Sequence, residues 1–140
     1  MDARDEGLSC EDYRRLAEFR HQIRLFLTFS IRAARQADLE PRQHQMLLAL
    51  KGLPPEREAT IGELAKRLQI HHNTAVELVN RLSDGGFVTR RRGEVDRRKV
   101  FVELTAKGDE VLDELTRDHL RELQLVGPEL VRALDRLINE

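Results

Sequence analysis

The stretch TIGELAKRLQIHHNTAVELVNRLSDGGFVTRRRGEVDRRKVFVELT, residues 60–105, decides the fold. Thr60 stands where a side-chain oxygen caps a short helix, and Leu64, Ala65 and Leu68 then fall on one helical face. After a two-residue gap a further helix begins near His71 to Asn73 and carries Ala75, Val76, Leu78, Val79 and Leu82. Gly85-Gly86 ends it, because glycine accepts the left-handed backbone that follows a helix terminus. The period then changes. Phe87-Val88-Thr89-Arg90 and Val100-Phe101-Val102-Glu103-Leu104 alternate or run apolar as strands do, and the polar segment from Arg91 to Lys99 joins them as a hairpin loop. Two short helices at a tight turn, followed by a basic two-stranded hairpin, describe a winged helix-turn-helix.

Working outward, Thr105 caps a helix bearing Val111, Leu112, Leu115 and Leu120. Gly127-Pro128 is expected to break that helix and start a last one with Leu130, Val131, Leu134, Leu137 and Ile138. Toward the N-terminus, Pro41 suits the first turn of a helix with Met46, Leu47 and Leu50 facing in, and Gly52 to Arg57 is a breaker-rich connection. Ser9 and Asp12 form a capping pair that opens a long helix from Cys10 to about Ala34, on the order of 35 Å in length. Leu16, Phe19, Ile23, Phe26 and Ser30 mark one face of it, whereas Leu25 to Phe29 is apolar nearly all round and must be covered on more than one side. The expected class is mainly α with a small β-hairpin wing. Residues 1–38 are expected to form an N-terminal helical segment, 39–105 the winged lobe and 106–140 the C-terminal helices.

The chain has 140 residues, a length that suits one compact domain. No apolar run is long enough to span a membrane, and the opening residues 1–6 are acidic and polar, unlike a secretory signal. A single Cys, Cys10, cannot form an internal disulfide, which fits a reducing cytoplasm. Aromatic residues make up 4% with no Trp, which argues against a stacking platform for single strands. The net charge of −1 hides an asymmetry. Residues 60–107 hold ten basic and six acidic side chains, residues 108–140 four and nine, and residues 1–59 ten of each. A basic middle segment implies an anionic partner.

Duplex DNA fits that partner. A helix about 10–12 Å across enters the major groove, where each base pair shows a distinct donor and acceptor pattern, while arginines on a hairpin reach the narrower minor groove. The reading helix is expected over residues 72–83. His72, Asn73 and Thr74 in its first turn can bond base edges or phosphates, His71 either caps the helix or touches phosphate, and Arg81 reaches the backbone or braces the wing. Arg91, Arg92, Arg97 and Arg98 supply wing charge, with Arg90 and Lys99 beside them.

From Leu39 to Leu115 the chain resembles the MarR family of bacterial regulators. The matching residues are Leu39-Glu40-Pro41-Arg42-Gln43, Gly62-Glu63-Leu64-Ala65-Lys66-Arg67-Leu68 and Thr74-Ala75-Val76-Glu77-Leu78-Val79-Asn80-Arg81-Leu82. They continue through Gly86-Phe87-Val88-Thr89-Arg90 and Asp96-Arg97-Arg98 to Leu104-Thr105-Ala106-Lys107-Gly108, in order and at the right spacing. The resemblance implies a dimer built by the first and last helices, with Asp96 orienting the wing and Arg98, aided by Arg97, entering the minor groove. It also implies a cleft for a small effector, lined by Phe26, Phe29, Ser30 and Met46, which equally suit an ordinary core. The chain departs from the family at His71-His72, where Ser and Arg are common, and at Glu77, where a basic residue is frequent. Glu77 cannot attract phosphate; it either accepts from a cytosine amine or pairs with Arg81 at i+4.

Other chemistry finds little footing. The five histidines show no ligand-spaced pair, Cys10 has only Tyr13 near it, and paired carboxylates such as Asp109-Glu110 fall on a solvated face. No nucleophile, base and acid are arranged for catalysis and no glycine-rich phosphate loop follows a strand, so no catalytic residue, metal or cofactor is expected. The expected function is a sequence-specific, dimeric regulator that binds double-stranded DNA at a pseudo-palindrome, represses, and responds to a small effector. The alternative is a winged-helix module for protein association alone; the arginine-rich wing argues against it.

Overall fold

The computed structural model describes residues 7–140; the acidic opening, residues 1–6, lies outside them. The elements are α1 (Cys10–Gln36), α2 (Pro41–Lys51), α3 (Ile61–Leu68), α4 (His72–Asp84), β1 (Val88–Arg92), β2 (Val100–Leu104) and α5 (Ala106–Asn139). Ser9 opens α1 as a capping box: the Asp12 N–H donates to Ser9 Oγ at 3.2 Å, and the Ser9 N–H donates to the Asp12 carboxylate at 2.7 Å. Those bonds hold the Asp12 carboxyl below its ordinary value. Pro41 sits in the first turn of α2, and Thr60 Oγ1 accepts the Glu63 N–H at 3.2 Å to start α3. Gly86, at φ +81°, ends α4 in a conformation that only glycine adopts freely.

The chain divides into two compact units. One comprises residues 33–116, and the other residues 7–32 with 117–140. The larger unit closes around Leu39, Met46, Leu47, Leu64, Val79, Leu82, Val88, Val102 and Leu112, all buried. β1 and β2 pair antiparallel with Val88 opposite Leu104 and Arg92 opposite Val100. On its other edge β2 is bonded from the Val102 N–H to the Ala59 carbonyl at 2.9 Å, which anchors the hairpin to the start of α3. Lys51 Nζ lies 2.6 Å from Asp109 and 3.2 Å from Asp113, tying α2 to the first turns of α5. These two carboxylates raise the Lys51 pKa.

The smaller unit is built differently. Ser30 and Ala133 are buried, and Phe19, Ile23, Phe26 and Phe29 are half-buried. Leu16, Leu25 and Leu27 of α1 are exposed, as are Leu120, Leu125, Val131, Leu134 and Ile138 of α5. Leu16 and Leu120, read as inward from sequence, therefore face out. Among the described residues no helix is long and apolar enough to cross a membrane.

Two sequence expectations need correction. Helix α5 does not break at Gly127-Pro128; it runs unbroken for 34 residues with Pro128 inside it. Pro128 removes one bond to the carbonyl four residues back, at Gln124, and Gln124 is exposed, so water can take that bond. Buried Ala133 and half-buried Leu130 and Leu137 hold the turns beyond it. In the hairpin, Arg91 and Arg92 are not loop residues. They extend β1 and pair with Phe101 and Val100, so the loop begins at Gly93. A run of arginines reads as solvated loop, yet cross-strand neighbours on β2 give it a strand to pair with.

Candidate nucleic-acid interface

Buried Ala75, Leu78, Val79 and Leu82 fix the rotation of α4 about its axis. The opposite face is open to solvent: His72, Asn73, Glu77 and Arg81 are exposed, and Thr74, Val76 and Asn80 are half-buried. His71 is the N-cap residue, but its side chain makes no capping bond, which leaves the ring unspent at the helix start. The link from α3 to α4 turns through Gln69 at φ 54°, a left-handed residue whose N–H bonds Lys66, while the Ile70 N–H bonds Ala65 at 3.1 Å. This tight return sets the angle between the two helices.

Arg90 on β1 donates to the Asn80 side chain of α4, joining the wing to that helix. The sequence offered Arg81 as a contact to the backbone or as the brace, and gave Asn80 no role. The signal was present in outline, since Asn80 and Arg90 stand either side of the Gly85-Gly86 turn that folds β1 back from α4. Arg91 lies on the outer face of the hairpin, its guanidinium 4.5 Å from the Phe101 ring centre and 3.6 Å from Glu103. Lys99 bonds Glu58 at 2.9 Å, which raises its pKa.

The loop itself is shaped by Gly93 and Asp96. The Gly93 N–H donates to the Lys99 carbonyl at 2.8 Å, and a Cβ on Gly93 would lie 2.3 Å from the Asp96 carbonyl oxygen. No side chain fits there. Asp96 Oδ1 accepts from the Arg98 backbone N–H at 3.0 Å and from Arg98 Nε at 3.1 Å, while Oδ2 accepts from Nη2 at 3.2 Å. The Arg98 side chain and backbone together hold the Asp96 carboxyl below its ordinary value. Arg98 is still 92% exposed, so its guanidinium is aimed without being covered. Arg92 and Arg97 are exposed. A concavity of about 230 Å³ lies where the wing meets the helices, with Thr60, His72, Val76, Arg90, Arg98 and Lys99 among its walls.

All eleven residues singled out on α4 and the wing thus lie in the larger unit, on the solvent side of α4, at its start, or on the hairpin. The residues read as an effector cleft belong to different units. Phe26, Phe29 and Ser30 gather around His119, which sequence reasoning had considered only as a metal ligand. Its ring is edge-to-face with Phe26 at 5.9 Å and Phe29 at 5.2 Å, and its Nε2 is 2.8 Å from Ser30 Oγ. Met46 instead is fully buried in the core of the larger unit. Cys10 is exposed in the first turn of α1.

Comparison with known proteins agrees with this fold. Residues 37–99 match the family described as the MarR family. Over 82 residues the chain is 30% identical to the HTH-type transcriptional regulator Hpr of Bacillus thuringiensis (strain Al Hakam) and to that of Bacillus anthracis (strain CDC 684 / NRRL 3495). Each match takes in 59% of this chain and 43% of the relative, so the chain spans less than half the length of these curated relatives. Among solved structures, AbsC, a MarR family transcriptional regulator from Streptomyces coelicolor, superposes with a TM-score of 0.75 at 19% identity, covering 96% of this chain and 93% of AbsC. Reduced AbfR bound to DNA superposes with a TM-score of 0.59 at 27% identity, covering 83% of this chain and 85% of AbfR. Through residues 37–99 and the winged helix-turn-helix they build, the chain is similar to the MarR family.

Proposed function

We propose that the chain is a transcription regulator that binds double-stranded DNA as a homodimer, with α4 in the major groove and the wing against the adjacent minor groove. The observation that carries this reading is the joint geometry of α4 and the wing. A helix with an open polar face is tied through Asn80 and Arg90 to a hairpin whose Arg98 is held out by Asp96. Arg90, Arg91, Arg98 and Lys99 are each fixed by a neighbour, so less side-chain freedom is lost when they meet phosphate. A relative at 27% identity is seen bound to DNA, which supports the same partner here.

The self-association half of the proposal rests on the smaller unit, whose exposed leucines, valine and isoleucine on α1 and α5 need a cover that a second copy supplies. Two reading helices related by a two-fold axis would meet a pseudo-palindrome with half-sites about one helical turn apart. Occlusion of a promoter then gives repression. Release by a small effector belongs to the proposal as well, with half-buried Phe26 and Phe29 beside Ser30 as the surface it would touch.

The test is selection of bound sequences from a randomised duplex pool at about 150 mM salt, with an Arg97→Ala, Arg98→Ala double variant alongside. The expected result is an enriched pseudo-palindrome whose affinity falls in the variant, together with a slope of log affinity against log salt that is shallower by about two. No enrichment and no binding to any duplex even at low salt would overturn the reading in favour of a protein-association module.

A further inference from the structure

One residue on the open face of α4 is chemically out of place. Glu77 is exposed, one turn beyond Asn73 and one turn before Arg81. Among the described residues it has no ion pair and no hydrogen bond; the pairing with Arg81 that sequence spacing permits is not made. The rotation of α4 is fixed by Ala75, Leu78, Val79 and Leu82, so Glu77 cannot leave the solvent face without unpacking the helix. A bare carboxylate thus projects from the middle of the surface that carries Asn73 and Arg81.

Resting on the DNA-binding reading above, we infer that Glu77 selects a cytosine in the major groove of each half-site. A carboxylate only accepts hydrogen bonds, and phosphates on both sides repel it. Of the base edges in the major groove only the cytosine N4 and adenine N6 amines donate. The adenine amine stands next to the N7 acceptor, which repels the second carboxylate oxygen, whereas the cytosine amine stands next to a C–H. Cytosine is therefore the one base whose own edge offers Glu77 a donor with no acceptor beside it. Asn73, one turn earlier on the same face, has the side chain that bonds adenine N6 and N7 together, so the two residues read different bases of one half-site.

The test is to select duplexes from a randomised pool with the unaltered protein, with Glu77→Gln and with Glu77→Ala, and then to titrate single duplexes. Glu77 is exposed, so both variants keep the fold, as unchanged thermal midpoints would verify. The unaltered protein should enrich one cytosine per half-site. Changing that C·G pair to T·A should weaken its binding by about tenfold or more, and should leave the Glu77→Ala variant nearly unaffected. Glu77→Gln should change the preferred base at that position alone from cytosine to adenine. If Glu77→Ala instead strengthens binding to every duplex alike and leaves the enriched pattern intact, Glu77 only repels the backbone and the inference is wrong. If the unaltered protein enriches a pattern with no such cytosine, the inference also fails while the DNA-binding reading stands. If it enriches nothing at all, the failure lies with the DNA-binding reading itself.

Discussion

The two compact units treat their apolar side chains in opposite ways. In residues 33–116, leucines from α2, α3, α4 and α5 are buried together with Val88 of β1 and Val102 of β2. In residues 7–32 with 117–140, Leu125 is 78% exposed, Val131 66% and Ile138 68%. The first unit is a finished core that displays polar and cationic groups; the second leaves large apolar side chains in water, and we read it as half of a core. Helices that leave such a face in water are stabilised only when another surface covers it. The difference separates what one chain can do alone from what takes two: the wing and reading helix are set within a chain, while their spacing on DNA would be set between chains.

The largest expected effect breaks that contrast from the open side. A Leu125→Asp, Val131→Asp double variant places four carboxylates in a two-fold interface, two from each protomer. Losing those apolar groups, each worth about 1.5–3 kcal/mol, should weaken self-association by about three orders of magnitude or more, as measured by sedimentation equilibrium. An unchanged association constant would remove the reading of this unit as half a core. Next in size is a cut in the finished core. Leu82→Ala should lower unfolding free energy by about 2–5 kcal/mol in chemical denaturation, by the same amount at every protein concentration. A loss that disappeared at high concentration would mean that the larger unit too depends on a partner.

Smaller effects sharpen the comparison at the helix ends. Ser9→Ala removes the cap of α1 and should destabilise by about 1 kcal/mol, read as faster amide exchange confined to the first turn. Protection unchanged there would contradict it. Gln69→Gly relieves the left-handed residue between α3 and α4 and should stabilise the larger unit by about 0.5–1 kcal/mol, visible as a higher denaturation midpoint. A lower midpoint would show that the Gln69 side chain matters more than its backbone.

Acid should act on both units by one rule. Asp12 and Asp96 each sit below the ordinary carboxyl value of 3.8. A lowered folded-state pKa means that their contribution is complete above that value and is lost as pH falls through the lowered one. Amide shifts of Ser9 and Arg98 should therefore hold steady from neutral pH to about 4 and move only below it. A midpoint above 4 would contradict the bonds described.

Most of the larger unit was legible in the sequence because each element carries its own punctuation. Thr60, Pro41 and Gly86 mark helix ends, and the switch from a helical to an alternating period marks the hairpin. Where local rules misled, a non-local partner had intervened. Arg91 and Arg92 look like loop until Val100 and Phe101 stand opposite them, and Pro128 looks like a break until the packing of Ala133 carries the helix past it. The wing side of the candidate site was readable as a cluster of arginines, but not which of them are held. The links of Arg90 to Asn80, Arg91 to Phe101 and Lys99 to Glu58 join residues that only the folded chain brings together. The same holds for His119 beside Phe26 and Phe29, 89 residues from Ser30 in sequence.

Two-fold DNA binding through α4 and the wing is tested best by a hydroxyl-radical footprint of the protein on its selected duplex. Protection should appear as two segments about one helical turn apart on one side of the duplex, and should be lost in the Leu125→Asp, Val131→Asp variant at concentrations where it is monomeric. A single protected segment, or uniform protection with no period, would contradict a dimer that places two reading helices on one operator.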